Sequence, residues 1–139
     1  MIQFHSEAID FALPQEEAIG QWLKQIAQEK ESAILELNYI FCSDDYLLEL
    51  NRQYLQHDYY TDILTFPYKH PEQDGLWSDI YISVDRVRDN AKTFEADFTD
   101  ELHRVMAHGL LHLLGYDDHG DAAPMMREQE ALALAKRNF

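Results

Sequence analysis

The 139-residue chain has room for one domain, and a 46% apolar share with 12% aromatics supplies a core for it. That composition excludes a disordered polyelectrolyte, and no apolar run approaches the length that crosses a bilayer. With 26 acidic against 11 basic residues, a net charge of −15 argues against holding nucleic acid or an anionic membrane surface by bulk charge, yet a local basic groove or a bound cation survives inside an acidic protein.

Acidic residues interrupt the first twenty positions, so no signal peptide is read there and a cytoplasmic protein is expected. Pro14 with Gln15, Glu16 and Glu17 reads as the first turn of a helix whose buried stripe is Ile19, Trp22, Leu23 and Ile26. Ala33 to Cys42 reads as a strand with Leu35, Leu37, Tyr39 and Phe41 on one face. Cys42, the lone cysteine, reads as a small buried hydrophobe. Ser43 suits an N-cap for a helix to about Leu55, with Asp44 and Asp45 at its positive end. Thr61 to Phe66 reads as a strand stopped by Pro67, Tyr68 to Ser78 as a loop, and Asp79 to Ser83 as a second short strand antiparallel to the first. Val84, Val87, Ala91 and Phe94 mark a further helix. Thr99, Asp100 and Glu101 open another, which Gly115 closes in the left-handed position. A last helix runs from about Ala122 to Arg137. This mixture without strict βαβ alternation predicts one α+β domain over residues 1–139, a small mixed sheet packed with several helices.

The chemistry concentrates between His108 and His119. His108 and His112 stand four residues apart, an offset of about 40° on a helix, so both imidazoles point the same way. The glycine stop then turns the chain back, carrying Asp117, Asp118 and His119. Imidazole and carboxylate donors on a helix and its return loop suit zinc, with one coordination position open for water. Gly109 stands where the zinc-protease pattern His-Glu-x-x-His has its glutamate, which weakens a peptidase reading and leaves room for a substrate or another backbone to approach the metal. His5, His57, His70 and His103 stand alone and read as surface or core residues.

The stretch from His108 to Asp117 resembles the motif His-Gly-x-Leu-His-Leu-x-Gly-Tyr-Asp-His of the YbeY family of metal-dependent bacterial endoribonucleases. Leu50-Asn51 with Tyr54 and Asp58, Thr61 to Pro67, and Asp79 to Ser83 resemble further landmarks of that family, in the same order. The resemblance spans roughly residues 35 to 135. It implies a cytoplasmic endoribonuclease specific for single strands, with one zinc per chain. It also implies work in ribosomal RNA processing, notably 3′-end maturation of 16S rRNA, and in ribosome quality control. RNA and the ribosome or its proteins are then the partners, with neither DNA nor membrane expected.

Two positions depart from the family pattern. Asp118 occupies the place of the third histidine and His119 follows it, so the implied metal set is His108 and His112 with Asp118 favoured over His119. Leu55 stands where the family usually carries an arginine after its Leu-Asn segment, and Arg52 lies three residues away. On this reading a zinc-bound water attacks the phosphodiester. Arg104 either stabilises phosphate charge or pairs with Glu101 or Asp100, and Asp62 either supports a ligand histidine or is an ordinary capping or exposed aspartate. Arg86, Arg88 and Lys92 share a helix that either tracks RNA backbone or is a solvated face. Another metallohydrolase, a zinc peptidase included, and a non-catalytic ribosome-associated zinc module are the rival readings.

Overall fold

In the computed structural model, which describes residues 1–139, four strands form one sheet in the order β1-β2-β4-β3. The elements are β1 (Ile2–Glu7), α1 (Glu16–Glu29), β2 (Ile34–Cys42), α2 (Asp44–Leu55), β3 (Ile63–Tyr68), β4 (Leu76–Ser83), α3 (Val84–Thr93), α4 (Phe98–Leu113) and α5 (Ala123–Ala135), with a 3-10 turn at Gly120–Ala122. β2 runs parallel to both β1 and β4, while β3 pairs antiparallel with β4. The mixed sheet and the α+β class are thus those expected from the sequence.

Alternation explains the core. Leu37, Tyr39 and Phe41 of β2 lie beside Ser78, Ile80 and Ile82 of β4, and all six are essentially buried. α1 adds Ile19, Trp22, Leu23 and Ile26, and α4 adds Leu102, Val105, Met106 and Leu110. The Tyr39 hydroxyl donates to the Met106 carbonyl at 3.0 Å, pinning α4 to the central strand. Gly109 faces the same sheet: a Cβ there would lie 2.7 Å from Ile63 Cδ1 and 3.3 Å from Ile80 Cγ2. The missing side chain brings the helix close to the sheet; what approaches Gly109 is the sheet's own isoleucines. No helix is long and apolar enough to cross a membrane.

Several boundaries differ from the sequence reading. β1 was not foreseen, because only Ile2 and Phe4 alternate among polar residues there. Pro67 does not stop β3, which runs on to Tyr68. β3 is an edge strand, where an amide hydrogen turned to solvent is not missed. The expected loop is shortened to residues 69–75, since β3 includes Tyr68 and β4 starts at Leu76. α1 begins at Glu16 after Gln15, whose φ of 61° is left-handed, so Pro14 precedes the helix rather than opening it. α4 begins at Phe98, one residue before Thr99, and Asp97 caps it, accepting from the Thr99 amide at 3.3 Å. Ser43 caps α2 as expected, and Gly115 ends the α4 segment with φ 104°.

His103 lies on the far side of α4 from the histidine pair's cleft, only 4% exposed, between Trp22 and Phe139. Its Nδ1 accepts from the Arg137 guanidinium at 2.8 Å, which requires a neutral ring. Burial, reinforced by the Arg137 charge, pushes its pKa down from 6.5 to about 4. The unfolded chain therefore takes up this proton first as pH falls, so the neutral ring's contribution is complete above about pH 6.5 and lost towards pH 4, up to about 3 kcal/mol. Chemical unfolding followed from pH 7 to about pH 4.5 should show a shallower acid loss in His103→Asn, whose amide oxygen keeps the acceptor without the proton; an unchanged slope would refute the assignment.

Candidate metal centre

α4 carries His108 on its penultimate turn and His112 on its last. Gly115 then reverses the chain, and residues 116–119 return across the helix end. This return brings Asp118 Oδ2 to 3.3 Å from His108 Nε2, and Asp118 Oδ1 to 3.2 Å from His119 Nδ1. The donor atoms of Asp117, Asp118 and His119 all lie within 4.8 Å of one another, a group able to hold a metal ion. His119 also leans on Asp117 at 2.9 Å and is 87% exposed. His108 and His112 both stand outside that compact group; His112 is exposed and its side chain makes no hydrogen bond or ion pair. The structure thus joins His108, Asp118 and His119 in a chain of short contacts, with His112 beside them on the helix.

Behind His108 is a residue the sequence reading did not mark. Glu130 of α5, 6% exposed, sits 2.6 Å from His108 Nδ1. Its other oxygen accepts from Arg104 Nη1 at 3.1 Å, and Arg104 forks onto Glu101 through Nε at 2.8 Å and Nη2 at 2.7 Å. Glu101 is itself buried, 4% exposed. Each guanidinium nitrogen thus donates to a carboxylate, the ion-pair alternative for this residue. Burial alone would lower the His108 pKa, but the Glu130 hydrogen bond and charge, with Asp118 beyond, leave it raised. Burial likewise works to raise Glu130, and His108 and Arg104 together bring it below its usual value. Carboxylates thus stand at both nitrogens of the His108 ring, Glu130 at Nδ1 and Asp118 at Nε2.

Asp62 lies at the entrance to β3 and accepts from Asn90 Nδ2 at 3.3 Å. Burial raises its pKa, while the nearby Arg104 and His108 charges oppose the rise. The carboxylate that touches a histidine of the pair from behind is Glu130, not Asp62. Buried Asn51 donates to the Tyr59 carbonyl at 2.9 Å, tying the end of α2 to the segment that delivers Asp62. Leu55 is 40% exposed, and Arg52 is paired with Glu49 and Asp58. Arg86 is held by Asp44 at 2.7 Å, and Arg88 lies over the Phe98 ring.

A signal for Glu130 does exist in the sequence: it falls between Met126 and Ala133, at spacings of four and three, in the buried stripe of α5. A carboxylate in such a stripe needs a buried partner.

The fold and this group define an α+β protein with a candidate metal centre at the end of its longest helix. The family model described as Endoribonuclease YbeY matches residues 1–138, and the chain belongs to that family of RNA-cutting hydrolases. A Cytophaga hutchinsonii protein named Endoribonuclease YbeY is 51% identical over 140 residues, covering 99% of this chain and 96% of that relative. One from Parabacteroides distasonis with the same name is 45% identical, covering 96% and 94%. The solution structure of TM1509 from Thermotoga maritima superposes with a TM-score of 0.66 at 29% identity, covering 96% of this chain and 87% of that one.

Proposed function

We propose that this chain is a zinc-dependent endoribonuclease specific for single-stranded RNA, acting in the cytoplasm on ribosomal RNA near the 3′ end of 16S and in ribosome quality control. The observation that carries the zinc reading is the alignment of His108, with Nε2 towards Asp118 and Nδ1 on buried Glu130. The donors fit the ion: imidazole and carboxylate are zinc ligands, and an outer carboxylate on the far ring nitrogen is the usual support of a zinc-bound histidine. His108, His112 and Asp118 would hold it. Asp118 is preferred to His119 because it already faces His108, whereas His119 turns towards Asp117. Zinc held there would supply a Lewis acid for the phosphodiester and lower the pKa of water.

The chain's own residues do the rest. His108 is oriented from behind, and the exposed faces of His112 and Asp118 leave the helix end open to a strand. The ion would be the local positive charge that an acidic surface otherwise lacks at this point. Ribosomal RNA as substrate, and the ribosome as partner, rest on family membership.

The purified protein should cut a single-stranded RNA and spare its duplex form. Chelation should abolish cleavage, and added zinc should restore it. Full cleavage by chelated protein would overturn the metal reading. A cut peptide with RNA untouched would select a peptidase. Unfolding on chelation, with no hydrolysis of any substrate, would select a structural zinc module.

A further inference from the structure

We infer that Glu130 is a positioning residue: it holds His108 in the tautomer that keeps the Nδ1 proton, so that the Nε2 lone pair points to the Asp118 side of the cleft. Arg104 acts on the site through Glu130. The inference rests on the zinc reading above and adds to it the residue that prepares the ligand.

Three observations converge on it. The Glu130 oxygen is 2.6 Å from Nδ1, which places a proton on that bond, and a neutral imidazole with Nδ1 protonated has its acceptor at Nε2. Glu130 cannot drift, because Arg104 holds its second oxygen and is itself anchored by both oxygens of Glu101. Glu130 and Glu101 are both buried, so solvent does not compete for these bonds. Glu101 and Arg104 lie on the same helix as the histidines, upstream of His108, while Glu130 comes from α5 beyond the turn that carries Asp118. The network therefore joins the two segments that must meet around an ion. It sets the ring's rotation and the return path of the chain together.

The test is zinc affinity, measured by competition with a chromophoric chelator for the wild type and for Glu130→Gln, which keeps size and removes charge. The variant should bind zinc about 10- to 100-fold more weakly. Glu130→Asp, which keeps the charge on a shorter stem, should fall between the two. Proton–nitrogen correlation NMR of the imidazole rings in zinc-loaded wild type should show the His108 proton on Nδ1; this second measurement stands even where a variant fails to fold. Equal zinc affinity in wild type and Glu130→Gln, or a zinc-loaded His108 with its proton on Nε2, overturns the role of Glu130 alone. A wild type that takes up no zinc overturns the zinc reading, and the positioning role with it.

Discussion

Arg104→Met is expected to lower the unfolding free energy by about 3 kcal/mol. Methionine matches the aliphatic stem, so the packing of α4 changes little. What disappears is the only guanidinium between two buried carboxylates, Glu101 at 4% and Glu130 at 6% exposure. Glu130 keeps His108; Glu101 keeps nothing. Removing one partner of a buried ionic group leaves an uncompensated charge, which costs more than the intact group contributed. Because the Arg104 side chain is 30% exposed, water relieves part of the penalty, and the lower end of the range applies. Arg104→Met combined with Glu101→Met should regain more than half of the loss, since the stranded charge leaves with the second substitution. Denaturant unfolding of both variants checks this. Equal losses would show that the stranded Glu101 charge is not the source of the loss.

His108→Ala should reduce RNA cleavage by about a thousandfold or more. A metal that stabilises transition-state charge contributes several kcal/mol, and at about 1.36 kcal/mol per tenfold this converts to some three orders of magnitude. The fold should survive, because His108 is at the rim of the core and Glu130 retains Arg104. The lost hydrogen bond to a charged group costs about 2 kcal/mol of stability. Single-turnover cleavage and a melting curve on the same sample separate the two effects. A variant that folds and cuts at the wild-type rate would remove His108 from the chemistry.

The reach of the sequence reading follows the reach of the interactions. The pairing of β3 with β4 was legible because alternation and a turn are written within twenty residues. The end of α4 was legible because Gly115 announces it. Asp118 near His108 was legible too, since a helix followed by a tight reversal brings those positions together whatever surrounds them. β1 was not, because Ile2 and Phe4 alone are too short a pattern, and the strand exists because β2 offers a parallel edge for it. Pro67 misled because its cost depends on which edge of the sheet it occupies, a fact of topology. Glu130 was missed for the same reason. It lies 22 residues beyond His108, and only the packing of α5 on α4 determines that the two meet. Local rules capture neither.

Pro67 also bears on how these molecules behave in company. β3 forms one rim of the sheet, and a rim with every backbone donor intact is a template on which another chain can extend the ladder. A proline in that rim leaves a gap in the row of donors, so sheets meeting side by side along β3 cannot zip together continuously. In a protein with aromatic Phe66 and Tyr68 flanking that gap, the gap works as a safeguard against fibrillar stacking.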